Sequence, residues 1–118
     1  MSLKKTNLVK KPWGYYINLY KDKNFNIKII KVNPNSRLSL QYHKEREEKW
    51  ILIDGIGFYQ IGKKRAVAMK ENKIYQIKKK QLHRLIGGKK GCQIIEISLG
   101  KFLESDVVRI EDDYKRNL

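Results

Sequence analysis

The sequence predicts a single all-β domain, a sandwich or jelly-roll barrel, and three observations carry that expectation. Apolar residues come in short runs rich in Val, Ile, Tyr and Phe. Turn-forming residues interrupt those runs about every ten residues, the rhythm of antiparallel strands joined by tight loops. No helical periodicity is sustained ahead of the C-terminal segment.

Residues 1–10 are polar and Lys-rich and are expected to form a flexible N-terminus, with the folded domain over 11–118. Pro12 and Gly14 frame Trp13, and Tyr15 to Tyr20 alternates weakly as a first strand, broken around Asp22. Phe25 to Val32 follows as a clear strand with Phe25, Ile27 and Ile29 on one side. Asn33-Pro34-Asn35-Ser36 is a turn, because Pro presets its torsion and Asn tolerates unusual ones. If Ser39 to Glu45 is extended, Ser39, Gln41, His43 and Glu45 share one face and Leu38, Leu40 and Tyr42 the other. Glu48, Trp50 and Leu52 then form the inner row of a second strand, and Asp54-Gly55 turns the chain. Gly57 to Ile61, Arg65 to Met69, Ile74 to Ile77, Leu82 to Ile86 and Gln93 to Leu99 read as further strands, punctuated by Gly62, Asn72, Gly87-Gly88 and Gly91. Phe102 to Tyr114 reads either as a short helical turn or as a last strand with an acidic tail.

Chain length suits one domain with one core. No apolar stretch reaches membrane-spanning length, and the start lacks an apolar signal core. A single cysteine, Cys92, excludes an internal disulfide. A soluble, cytoplasmic protein is therefore expected, with no membrane partner. The 27 Lys and Arg against 12 Asp and Glu give a formal charge of +15, which attracts polyanions in general. The lysines are scattered without the aromatic interleaving of a base-stacking platform, so no nucleic-acid partner is expected.

The chemistry concentrates between Leu38 and Gly55. Imidazole and carboxamide on one strand, with a carboxylate at the start of the next, can offer a divalent cation several ligands from a rigid sheet. His83, the only other histidine, is the natural fourth member. Hydrogen-bonded core side chains without a metal are the ordinary alternative for such residues.

The order Leu38-Ser39-Leu40-Gln41-Tyr42-His43, Glu48 before Trp50, the Asp54-Gly55 pair, His83-Arg84-Leu85 and the C-terminal run Ile94 to Tyr114 resembles the cupin domain of type II mannose-6-phosphate isomerases. The opening Lys11-Pro12-Trp13-Gly14 resembles the same family's entry, so the likeness covers Lys11 to Arg116. That domain is commonly fused behind a mannose-1-phosphate guanylyltransferase. The resemblance implies a cupin (RmlC-like) jelly-roll barrel and a metal-dependent aldose-ketose isomerase interconverting mannose 6-phosphate and fructose 6-phosphate. It implies Gln41, His43, Glu48 and His83 as ligands of a divalent ion, zinc, manganese, cobalt or iron, with Glu45 as a fifth or replacement ligand. Ser39 and Arg46 then contact substrate, and Arg109 returns to the active site and stabilises the enediolate. Glu45, Glu48 and a metal-bound water remain open as proton shuttle.

Two departures from the family pattern bear on this. Glu45 stands where a second His is usual, and Lys78 and Lys80 replace the Pro and Gly of the turn before His83. They support an alternative, a non-catalytic cupin that binds a sugar phosphate or nucleotide sugar, or the partner of a separate guanylyltransferase. A homodimer is expected through the rows Leu38, Leu40 and Tyr42 or Ile51 and Ile53.

Overall fold

Two long antiparallel strands organise the molecule, whose computed structural model describes residues 8–116. They are β5 (Arg46–Ile61) and β8 (His83–Gly100), paired from Arg46↔Gly100 to Ile61↔His83. Around them lie β1 (Leu8–Lys11), β2 (Gly14–Lys21), β3 (Phe25–Val32), β4 (Leu40–Tyr42), β6 (Val67–Ala68), β7 (Ile74–Ile77) and β9 (Val108–Glu111). The half of β8 from Cys92 to Leu99 pairs with β3, and its other end pairs His83 with Gln41 of β4. The near half of β5 pairs with β7 and the far half with β6. Each long strand thus serves two flanking sets of strands, and the sheet curls into the all-β roll that the strand rhythm predicts.

The bend needed for this comes from glycines that the sequence reading assigned to turns. Asp54-Gly55 does not reverse the chain: β5 runs straight through it, with register shifts between Leu52 and Asp54 and between Gly55 and Gly57. Gly55 has φ 81°, and Gly91, next to the Cys92 that pairs with Gly55 on β8, has φ 69°. A Cβ on Gly55 would run into the Gly91 carbonyl, and one on Gly91 into the Val32 carbonyl. Both positions are bulges in continuous strands, which increase local bending and twist. For the same reason Leu82 to Ile86 and Gln93 to Leu99 are not separate strands: Gly87, Gly88 and Gly91 lie inside β8.

Three further expectations change. Residues 8–10 are not a frayed end, because β1 pairs with β2 from Leu8↔Ile17 to Lys11↔Gly14; the rest of that segment, 1–7, lies outside the described residues. Only Val67–Ala68 of the Arg65 to Met69 run is strand. The open choice after Phe102 resolves to a strand, β9, which pairs Gln41 with Arg109 and Tyr42 with Val108. Among the described residues there is no helix, and so none long and apolar enough to cross a membrane.

Trp13, Ile30, Val32, Trp50, Leu52, Ile77, Leu85 and Ile94 form the centre of the core. Burying each such side chain stabilises the fold by roughly 1.5–3 kcal/mol. Leu38 and Leu40 are also buried, so they are not the outward row proposed for pairing two copies; Ile53 remains 40% exposed. On β3 the inward row is Asn26, Lys28, Ile30 and Val32, so two polar residues face inside, and Lys28 lines the cavity described next.

Candidate active site

A cavity of about 110 Å³ opens between the curled sheet and the C-terminal segment. Its polar wall is built from β4, β5 and β8. His43 follows β4, Glu48 lies in β5, and His83 begins β8 opposite Gln41. All three titratable side chains are buried, and one ligand atom from each lies within 4.8 Å of the others. His43 Nε2 is 3.4 Å from Glu48 Oε2, and His83 Nε2 is 3.6 Å from Glu48 Oε1. Gln41 and Ser39 line the same cavity.

The other ring nitrogens are already committed. His43 Nδ1 lies 2.6 Å from the Asp106 carbonyl and His83 Nδ1 2.8 Å from the Gln81 carbonyl. A carbonyl only accepts, so each imidazole donates from Nδ1 and turns a bare Nε2 lone pair toward Glu48. Burial is the main force lowering both imidazoles to about 4, with Arg46 adding to it at His43 and the neighbouring His43 at His83. Both rings are therefore neutral at pH 7, and their approaches to Glu48 are not ion pairs. His83 Nε2 and Glu48 Oε1 are buried without any hydrogen-bond partner. Two converging Nε2 lone pairs and a carboxylate oxygen, the His83 nitrogen and the Glu48 oxygen among them unsatisfied, fit a divalent cation.

Arg46 is buried beside this group and already engaged. Its Nε donates to Glu48 Oε2 at 3.1 Å, its NH1 donates to the Leu103 carbonyl at 2.9 Å, and its guanidinium lies over the Phe102 ring. Arg109, opposite Gln41 on β9, lines the cavity with a buried Nε that has no partner among the described residues. Glu45 does not join the site. β4 ends at Tyr42, and the chain then turns where the Asp106 carboxylate accepts the Lys44 and Glu45 backbone N–H groups. That turn breaks the strand alternation and leaves the Glu45 side chain exposed.

The substituted turn before His83 is made by other means. Gln81 N–H donates to the Lys78 carbonyl, the Gln81 side chain accepts from Lys78 N–H, and Lys80 takes φ 63°. Lys80 N–H donates to the His43 carbonyl at 2.7 Å, tying this turn to the strand end that carries the first histidine. The loss of Pro and Gly is thus compatible with a placed His83.

The sequence reading missed several residues of the cavity wall. Glu96 of β8 accepts from Trp50 Nε1 at 3.1 Å. Burial first, then the Glu48 charge and a hydrogen bond to Glu48, push its carboxyl up to about 7. Lys28 Nζ sits 2.9 Å from Glu104 Oε1 and 4.0 Å from the centre of the Tyr16 ring, while Tyr16 donates to Glu104 Oε2. Lys11 and Arg116 complete the wall. Lone charges inside Asn26-Ile27-Lys28-Ile29-Ile30 and Ile94-Ile95-Glu96-Ile97 were the available signal, since a charge in an apolar strand is retained where it has a partner or a ligand.

The family model described as Mannose-6-phosphate isomerase C-terminal matches residues 2–112. The xanthan biosynthesis protein XanB of Xanthomonas campestris is 37% identical over 110 residues, and the alginate biosynthesis protein AlgA of Pseudomonas aeruginosa is 38% identical over 110. Each match covers 92% of this chain and 23% of the relative, so the chain spans under a quarter of those proteins' length. Among solved structures, a conserved protein with a double-stranded β-helix domain from Klebsiella pneumoniae superposes with a TM-score of 0.70. It is 12% identical and the match covers 95% of this chain and 91% of that one, a likeness of fold alone.

Proposed function

Because this chain belongs to the mannose-6-phosphate isomerase C-terminal family, with a cupin fold, we propose that it is itself a metal-dependent isomerase interconverting mannose 6-phosphate and fructose 6-phosphate. The observation that carries the reading is the buried group of His43, Glu48 and His83, in which Glu48 Oε1 and His83 Nε2 have no hydrogen-bond partner and of which His43 and Glu48 line a cationic cavity. These three residues, with the Gln41 carboxamide, hold the metal. A divalent cation bound there supplies a Lewis acid for the oxygens on the two carbons that exchange oxidation state.

The chain's own groups do the rest. Arg46 fixes Glu48 through the Nε contact, and Glu96, whose carboxyl is pushed up to about 7, lies next to the same carboxylate. Trp13, Ile30 and Leu38 exclude water from the cavity floor, strengthening each polar contact to a bound sugar. Ser39, buried beside Gln41, offers a hydroxyl to the sugar, and Arg109 has a free guanidinium edge for a developing or permanent negative charge.

The test is incubation of the protein with mannose 6-phosphate in deuterium oxide, with zinc, manganese, cobalt or ferrous ion in turn, followed by NMR. Fructose 6-phosphate should form with at least one metal and stop on chelation. Binding of mannose 6-phosphate without conversion under every metal would replace the reading with a non-catalytic sugar-phosphate cupin.

A further inference from the structure

We propose that Lys11 and Arg109, backed by Arg116, form a binding subsite for a dianionic phosphomonoester, separate from the group of His43, Glu48 and His83. The proposal rests on the isomerase reading for the identity of the sugar, and on charge accounting within the cavity for the rest. It places the phosphate contact apart from Arg46, which the family resemblance implies as a substrate contact.

Five cations line the cavity: Lys11, Lys28, Arg46, Arg109 and Arg116. Three have a carboxylate partner. Lys28 pairs with Glu104, Arg46 with Glu48, and Arg116 with Asp112, whose Oδ2 lies 2.8 Å from Arg116 Nε. Lys11 and Arg109 have none among the described residues. Two cations without a salt-bridged carboxylate match a phosphomonoester, which carries about −1.5 to −2 near neutral pH.

The two unpaired cations share a neighbourhood. After burial, the influences that lower the Lys11 ammonium most are the charges of Arg116 and then Arg109; for Arg109 they are burial and Arg116. Repulsion of the Lys11 ammonium by Arg116 and Arg109, and of Arg109 by Arg116, is only partly offset by Glu104 and Asp112, and an anion bound between the groups relieves the rest. Arg109 adds a buried Nε with no acceptor, and its planar fork suits two phosphate oxygens, while Lys11 acts as a point charge. Asp112 cannot serve as that acceptor, since it already takes the Tyr114 and Arg116 backbone N–H groups and the Arg116 side chain. Nor is the Glu104 carboxylate available, because Lys28 and Tyr16 hold its two oxygens.

The chain places both residues on the lining of one cavity. Lys11 ends β1 at the Pro12-Trp13 turn, pairing with Gly14, and Arg109 sits on β9 opposite Gln41. A phosphate on this pair leaves the rest of the sugar free to extend along the wall toward Gln41, which connects the subsite to the candidate metal group.

Isothermal titration with inorganic phosphate, and with mannose 6-phosphate against mannose, at fixed ionic strength tests the assignment in wild type, Lys11→Gln, Arg109→Gln and Lys63→Gln. Lys63 is exposed and outside the cavity, so its variant reports the loss of one net charge alone. Lys11→Gln and Arg109→Gln should each weaken phosphate about tenfold or more, leave any mannose affinity unchanged, and spare metal binding. In an active protein Lys11→Gln should raise KM for mannose 6-phosphate with kcat nearly constant, the signature of lost uniform binding. Should Arg109→Gln fail to fold, Lys11→Gln decides by itself, because its half-exposed side chain contributes little to the core. Absence of phosphate binding in wild type, wild-type affinity in Lys11→Gln, or equal loss in Lys63→Gln overturns the subsite. Loss of phosphate binding in Lys11→Gln, in a protein that converts no sugar under any metal, supports the subsite and overturns the isomerase reading instead.

Discussion

Two charged regions border one cavity and are prepared in opposite ways. Around His43, Glu48 and His83 every outward hydrogen bond is fixed: the Nδ1 atoms face carbonyls, and Arg46 and Glu96 bear on Glu48. What is left over points inward and is short of a cation. Around Lys11 and Arg109 the leftover is positive charge, with the nearby carboxylates Glu104 and Asp112 already engaged. The difference teaches that an apparently uniform basic chain can separate a cation-seeking from an anion-seeking region by deciding which charges it pairs internally.

The largest expected effect of breaking that separation is at His43. Its replacement by Ala removes a neutral ligand from a strand end and should lower metal affinity by more than the ~10–100-fold typical of losing an outer hydrogen bond. Equilibrium dialysis reads the affinity directly. Thermal melts give a second reading, since wild type should lose stability on chelation while the variant is indifferent. An equal chelator response in both proteins would remove the metal group from the account.

Next comes Arg46. Its change to Met keeps an unbranched apolar side chain but removes the guanidinium over Phe102 and strands the Glu48 carboxylate at 1% exposure. In metal-free protein this should cost about 3–5 kcal/mol, the range for breaking a buried pair, measured by urea unfolding. Saturating metal should restore part of the loss, because the cation takes over as partner to Glu48. A variant as stable as wild type without metal would show that the Arg46 contact contributes nothing.

The two regions also differ in how acid should affect them. His43 and His83 fall from an ordinary 6.5 to about 4, so between those values the unfolded chain binds protons that the folded one refuses, and stability falls as pH falls. Glu96 rises from 4.5 to about 7 and works the other way, gaining stability as pH drops through that window. Two groups oppose one, so metal-free protein should lose net stability from pH 6.5 to 4.5. His83→Gln should leave one against one and flatten the slope. An unchanged slope in the variant, from urea midpoints across this range, would contradict a neutral buried His83.

The smallest effect belongs to Lys80, whose φ of 63° is strained for any side chain with a Cβ. Lys80→Gly should stabilise by about 1 kcal/mol, the left-handed penalty of roughly 1–2 kcal/mol less the larger chain entropy that Gly loses on folding, as read from the melting temperature. Metal affinity should hold, since the contact to the His43 carbonyl is made by backbone N–H.

Much of this was legible because strand alternation is a strict rule over short distances. Ser39, Gln41 and His43 do share the cavity wall, and Arg46 and Glu48, two apart, are buried together on β5. The same rule failed at Glu45, where the Asp106 cap turns the chain, because a side chain sixty residues away decides the local conformation. Glycines misled for a related reason. Gly55 and Gly91 need positive φ whether they reverse a chain or bulge a strand, and only the partner strand tells which. Lys28 and Glu96 were visible as charges in apolar strands, yet their partners Glu104 and Glu48 lie at distances in sequence that no local pattern connects.

The most direct measurement of the central claim is a metal titration of isomerase activity in stripped protein. The account predicts that conversion of mannose 6-phosphate rises with added cation and breaks at one equivalent per chain, and that His43→Ala stays flat over the same range. One equivalent bound with no conversion, or conversion that persists through chelation, would contradict it.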